Sequence, residues 1–292
     1  MQAFTYERPT TVDDAVALLA AGDTRALAGG TDLVPQLREG RRSADRVVDL
    51  KHVPELTAVT RQQDGGWRIG AAASIARLGD DPAFATDHPG LLAAARLIGS
   101  LQIQSRATLG GNLCNAAPSA DAVPLLMSLE AETEIAGPRG RRTVAIDTLP
   151  KAPGRTVLSP GEIVTAILLP PRARRSGPCY LRFTPRREMD IAIAGAGVAI
   201  SLAADGRIAK ARITLASVAQ TPLRVPKAES ALLHQLPGKS VLEFAADIAA
   251  TACQPISDTR ASADYRRHLV KVLTRRALEA CLAEIEAREA RP

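Results

Sequence analysis

Apolar positions in the first fifty residues change their period twice. Val12, Ala15, Val16 and Leu19 recur at helical spacing behind Thr11, and Asp14 stands where a capping box puts its acid. Residues 25–28 then read as a short strand, 32–38 as a short helix carrying Pro35, and 46–50 as a second strand. Together they predict one compact β-α-β unit.

From about residue 55 the texture changes. Residues 56–60 and 67–71 flank Asp64-Gly65-Gly66, the pattern of a hairpin, with Trp67 expected in the core. Helices are expected near 75–78, 91–99 and 122–129. Residues 133–136 and 142–146 flank Gly137-Pro138-Arg139-Gly140, and 162–169 reads as a strand ending at Pro170-Pro171. The stretch from Pro170 to Pro178, with Arg172, Arg174 and Arg175, is the best linker candidate. Beyond it, 191–202 and 208–218 are apolar and partly alternating across Asp205-Gly206, which predicts a long antiparallel hairpin. Helices follow, the last from about 263 to 286 with Leu269, Val272, Leu273 and Ala277 on one stripe.

Composition narrows the class. The 292 residues exceed one typical domain, and a 46% apolar and 23% charged balance is that of a globular chain with a sizeable core. No apolar run approaches the ~20 residues of a membrane span, and the opening residues lack a secretory pattern, so a cytoplasmic protein is expected. Cys114, Cys179, Cys253 and Cys281 are far apart, as are the four histidines, which argues against zinc, iron–sulfur ligation and a disulfide framework. The net charge of +6 permits nucleic-acid binding, but aromatic residues are only 3% and none interleaves with the arginines. An acidic partner or an anionic cofactor accounts for the charge equally well. Arg139, Arg141, Arg142 and the arginines of the linker read first as solvated charge.

Two glycine-rich turns concentrate the candidate chemistry. Ala28-Gly29-Gly30-Thr31-Asp32-Leu33 lies between a strand and a helix, where adjacent glycines let the backbone approach a ligand and the helix start favours a phosphate. It is neither G-x-G-x-x-G nor a Walker loop, and taken alone it reads first as a plain turn capped by Thr31 or Asp32. The second turn, residues 107–121, combines Gly110-Gly111 with Thr108, Asn112, Asn115, Ser119 and Asp121. Many hydrogen-bonding groups and little bulk suit an extended loop around a polar chain such as a ribityl-pyrophosphate; the competing reading is a polar surface loop ending in a helix cap.

At these residues the chain resembles a known family, the FAD-binding domain of xanthine dehydrogenase and the medium subunit of carbon monoxide dehydrogenase-type enzymes. The resemblance rests on Ala28–Leu33, on Gln102 to Leu113, on Pro118-Ser119-Ala120-Asp121, on Leu158-Ser159-Pro160-Gly161-Glu162-Ile163 and on Arg187-Glu188-Met189-Asp190-Ile191-Ala192. It covers nearly the whole chain in order.

The resemblance implies an α+β fold of three subdomains. Residues 1–54 and 55–173 would form a two-part FAD-binding fold of the vanillyl-alcohol-oxidase-like (PCMH) type, and 174–292 a C-terminal antiparallel sheet with helices. It implies that Ala28, Gly29, Gly30, Thr31, Asp32 and Leu33, with Thr108, Gly111 and Asn112, contact pyrophosphate and ribityl groups. Ser119 and Asp121 match positions near the adenosine and ribityl portions, Val164 an apolar contact and Ile191 a place beside the isoalloxazine. Arg182 stands where relatives commonly carry lysine, and Ile98 where xanthine dehydrogenase has a stacking aromatic. No side chain of this chain is expected to act as an acid or base. Electrons would arrive from a small subunit with two [2Fe-2S] clusters, after a large molybdopterin subunit has oxidised the substrate, in a dimer of heterotrimers. The rival readings are a stand-alone FAD-dependent oxidoreductase and a basic nucleotide- or RNA-binding module.

Overall fold

The helix expected behind Thr11 forms over Val12–Leu19. The Thr11 hydroxyl accepts from the Asp14 amide at 3.1 Å and donates to the Asp14 carboxylate at 2.6 Å. Its apolar face, Val12, Ala15 and Val16, packs with Val48, Leu50, Val53 and Leu56. The computed structural model describes residues 2–187 and 189–290; Met1, Glu188, Arg291 and Pro292, and with Glu188 one position of the Arg187–Ala192 motif, lie outside the described residues.

Contacts divide the chain into two compact units. One gathers the chain up to Thr86, Ile98–Ala116 and Ala131–Pro171; the other takes Asp87–Leu97, Ala117–Glu130 and the chain from Arg172 on. In the first, β1 (Thr5–Glu7), β2 (Thr24–Leu27) and β3 (Arg46–Asp49) form a parallel sheet of order β1-β3-β2. The β-α-β pattern therefore holds, with β1 added: three residues, two of them exposed, carry too little alternation to announce a strand.

The second sheet of this unit is antiparallel throughout. It runs β4 (Val59–Arg61), β5 (Trp67–Gly70), β10 (Ile163–Leu169), β6 (Glu132–Gly137) and β7 (Gly140–Ala145). A two-stranded ribbon, β8 (Pro150–Ala152) with β9 (Arg155–Thr156), had no sequence signal. The hairpin around Asp64-Gly65-Gly66 forms, but Pro54 at a helix start turns Pro54–Thr57 helical where the strand pattern began at 56. Trp67 lies in the core, edge-on to Phe84 at 5.2 Å.

The other unit carries β11 (Ser176–Phe183), β12 (Ala194–Leu202), β13 (Ile208–Ala216) and β14 (Leu223–Arg224) in antiparallel order. β11 begins inside the stretch that reads as a linker, with Ser176 opposite Ser201. Pro178 argues against a strand in the middle of a sheet, but β11 is an edge strand, where a missing donor is tolerated. The terminal helix, Ala263–Glu289, buries Leu269, Val270, Leu273, Ala277, Leu278, Cys281 and Ile285; Val272 is only half-buried. Each fully buried large aliphatic side chain contributes roughly 1.5–3 kcal/mol to holding this face down. Gly177 permits the approach, since a Cβ there would lie 2.1 Å from the Cys281 carbonyl oxygen.

Four of the six clustered arginines are ion-paired rather than simply solvated. Arg141 pairs with Glu55 and Arg142 with Glu162. Arg172, 8% exposed, pairs with Glu284 and donates to the carbonyls of Asp87 and Ser176, both at 2.8 Å, while Arg175 pairs with Glu289. The carboxylate partners lie 20 to 114 residues away along the chain, beyond the reach of any local pattern. Among the described residues no helix is long and apolar enough to cross a membrane.

Candidate functional site

Both glycine turns open onto one cleft in the first unit, with a volume of about 250 Å³. The first leaves β2, passes Ala28 to Asp32 and enters the helix Leu33–Arg38. Gly30 has φ +79°, a left-handed conformation that an L side chain strains to adopt. Gly29 serves another purpose: a Cβ there would meet the Arg106 carbonyl oxygen at 2.1 Å. The first turn is thus pressed on the residue that leads into the second.

The second turn is not the extended loop its polar composition predicts. It contains a short helix, Leu109–Cys114, whose N-cap hydroxyl, Thr108, accepts from the Gly111 amide at 2.8 Å. Gly110 packs on the chain, its notional Cβ 2.5 Å from the Ala71 carbonyl oxygen. Gly111 is open: a Cβ would meet only the Thr108 hydroxyl, at 3.0 Å. In each pair the first glycine lets protein meet protein. The second differs, being conformational in Gly30 and spatial in Gly111.

The third wall is Leu158 to Val164, leading into β10. Here Glu162 accepts from Arg142 at 3.0 and 2.9 Å and from the Ser159 amide at 2.9 Å. The Arg142 hydrogen bonds hold its carboxyl down to about 2, so it stays charged and anchors the wall.

The cleft brings together Ala28, Gly29, Gly30, Thr31, Asp32, Leu33, Ile98, Thr108, Gly111, Asn112 and Val164. It also includes Asn115 and Cys114 of the second turn, and Leu50, Ala71 and Gln36, which sequence reasoning did not assign to the site. Leu50 and Ala71 are buried apolar residues with no sequence signal beyond a core pattern. Glu162 and Ile163 stood inside a quoted motif without a role. Burial pushes the Cys114 thiol up to about 12, so it is a wall and not a nucleophile.

Four expected residues, Ser119, Asp121, Arg182 and Ile191, belong to the second unit. Two of them meet there. Asp121 accepts from the Arg182 guanidinium and, at 3.1 Å, from the Tyr180 hydroxyl, all three nearly enclosed. Burial pushes the Tyr180 hydroxyl well up, so it remains a donor to the carboxylate. Ser119 is half-buried, and Ile191 is 47% exposed.

An extended, polar, anionic ligand fits the first-unit cleft. Asn112 Oδ1 is buried there without a partner among the described residues, an acceptor or, flipped, a donor left for a bound molecule. The open face of Gly111 lets such a molecule approach the backbone, and the wall opposite is apolar at Ile163 and Val164.

Comparison with known proteins gives the same reading of the chain from both ends. Residues 2–172 match the family described as FAD binding domain in molybdopterin dehydrogenase, and residues 180–281 match the CO dehydrogenase flavoprotein C-terminal domain. The xanthine dehydrogenase FAD-binding subunit of Escherichia coli O157:H7 is 33% identical over 281 residues, 96% of each chain. Carbon monoxide dehydrogenase from Hydrogenophaga pseudoflava superposes with a TM-score of 0.92 at 33% identity, over 97% of this chain and 98% of that one. Quinoline 2-oxidoreductase from Pseudomonas putida 86 does so with a TM-score of 0.90 at 28% identity, over the same shares.

Proposed function

The chain belongs to the FAD-binding medium-subunit family of the molybdenum hydroxylases, and on that premise we propose how its residues hold the flavin and where it stands in the electron path. It is an oxidoreductase flavoprotein subunit, and the observation that carries the site assignment is the shared cleft of the two glycine turns with its unpartnered Asn112 oxygen. FAD supplies the redox chemistry when bound: its isoalloxazine accepts electrons one or two at a time and gives them up. Everything else is positioning by the protein.

The backbone face of Gly111 lets the diphosphate come close, and the first turn, Ala28 to Leu33, lines the same cleft. Asp32 is acceptor-only and repels phosphate, so it suits a ribityl or ribose hydroxyl. Asn112 takes a second hydroxyl, and Ile163 and Val164 exclude water from the apolar side. Ile98 stands in the cleft as an aliphatic flavin contact in place of an aromatic one. For Ser119, Asp121, Arg182 and Ile191 the assignment stays the one the resemblance implies; within the second unit Asp121 holds Arg182 in place. The subdomain division 1–54, 55–173 and 174–292 is part of the same reading.

The relatives are subunits of larger enzymes, which supports a relay role over a stand-alone oxidoreductase. Electrons then come from a small [2Fe-2S] subunit, following oxidation of a substrate at a large molybdopterin subunit, and leave to an external acceptor. We assign the complex the form of a dimer of heterotrimers and a place in the cytoplasm, where the four free thiols are at home. The relatives act on different molecules, so the substrate belongs to the partner chains.

The test is direct. Acid treatment of the purified protein should release FAD, identified by chromatography, with no FMN and no flavin left on the polypeptide. FMN in the extract, or a folded protein with no flavin and no capacity to take up FAD, overturns the reading.

A further inference from the structure

Beside the first glycine turn lies a charged cluster whose side chains do not line the cleft. Lys51 follows the cleft residue Leu50, and its side chain is 22% exposed. Its ammonium donates to the Ala28 carbonyl oxygen at 2.8 Å and to the Asp49 carboxylate, which also accepts from the Lys51 amide at 3.1 Å. Asp49 is 2% exposed and takes a further hydrogen bond from the Tyr6 hydroxyl, with His52 Nε2 3.6 Å away. Burial alone would raise its carboxyl, but the bonds from Lys51 and Tyr6 outweigh it and hold the group below the usual carboxylate range. Lys51 thus has an anionic anchor.

The Ala28 carbonyl and the Gly29 amide are two ends of one planar peptide unit. Fixing the oxygen fixes the direction in which the Gly29 N–H points. That constraint matters most at a Gly-Gly step, whose backbone has the widest range of other conformations. On the other side Gly29 is blocked by the Arg106 carbonyl, so the peptide is held from two directions. No local pattern joins Tyr6, Asp49 and Lys51 to residue 28; β1, β3 and β2 bring them together.

We propose that Lys51 is a positioning residue for the cofactor: anchored on Asp49, it holds the Ala28–Gly29 peptide in the orientation that receives an anionic group of the flavin nucleotide. The inference rests on the FAD reading above. Lys51 itself need not touch the ligand.

The experiment is a titration of flavin-free protein with FAD, followed by quenching of flavin fluorescence. Lys51→Met should weaken binding by about tenfold or more, the scale of one lost charge-assisted hydrogen bond. Lys51→Arg should restore most of the affinity, since a guanidinium still reaches a carbonyl and a carboxylate. The flavin-free Lys51→Met protein should still fold, at a lower unfolding temperature than wild type because the buried Asp49 loses its cation, whereas Lys51→Arg should keep that temperature. If Lys51→Met does not fold, the double variant Asp49→Asn, Lys51→Met, which leaves no buried charge unpaired and no donor for the Ala28 carbonyl, carries the same comparison with Lys51→Arg. Wild-type affinity in Lys51→Met overturns the inference and leaves the FAD reading intact. So does equal weakening in Lys51→Met and Lys51→Arg accompanied by a common loss of stability, which marks a purely structural residue. Wild-type protein that takes up no FAD overturns both.

Discussion

The two glycine turns look alike as sequence and differ as structure. Each opens with a glycine that is packed against backbone, Gly29 on Arg106 and Gly110 on Ala71. Each continues with a glycine that lines the cleft. Yet Gly30 is needed for its left-handed φ, whereas Gly111 sits in a capped helix where a Cβ would meet only the Thr108 hydroxyl, at 3.0 Å. A glycine pair is therefore three separate requirements: close approach of chain to chain, a conformation, and room for a ligand. The first two are felt by the empty protein. The third is felt only when the cofactor binds.

The largest effect expected from breaking this division is at Gly29. Gly29→Ala places a methyl carbon 2.1 Å from the Arg106 oxygen, and backbone cannot swing aside as a flexible side chain does. It should destabilise the flavin-free protein by about 3 kcal/mol and lose the flavin as well, read from urea midpoints and flavin content. A Gly29→Ala protein of wild-type stability would dissolve the contact between the turns.

Gly111→Ala should do the opposite. Alanine is the better helix former, and its methyl meets only the Thr108 hydroxyl at 3.0 Å, so the stability of the flavin-free protein should change by less than about 1 kcal/mol. FAD affinity should nevertheless fall by about tenfold or more, because the methyl occupies the ligand's approach. Parallel losses of stability and affinity would show that Gly111, like Gly29, is a packing glycine.

The smallest effect concerns the third wall. The Glu162 carboxyl is held at about 2 instead of its ordinary 4.5, chiefly by hydrogen bonds from Arg142. A depressed carboxyl stabilises the fold fully above its unfolded value, and the contribution fades as pH falls through the folded one. The stability difference between wild type and Glu162→Gln should therefore be constant above about pH 4.5 and shrink toward zero near pH 2. The pair is partly solvated, so the difference is small. Urea midpoints that stay equally separated down to pH 2 would assign Glu162 a packing role without a charge role.

Much of this was legible in the chain itself. Helical spacing behind Thr11, the turn residues Asp64-Gly65-Gly66 and Asp205-Gly206, and the long apolar runs at Ile163–Leu169 and Ala194–Leu202 determine their elements locally, because period and turn chemistry act within a few residues. The two glycine motifs in order, with their polar neighbours, determined the family and most of the residues around one cleft. What the tertiary structure alone decided has one physical cause, partners distant in sequence. β11 survives Pro178 because it falls at an edge, and β1 exists because β3 pairs with it. Arg172 is buried because Glu284 reaches it. Lys51 meets the Ala28 carbonyl only because a parallel sheet sets β3 beside β2. Which glycine of each pair is packed against backbone depends on Arg106 and Ala71 arriving from elsewhere, and no periodicity in the sequence records where they arrive.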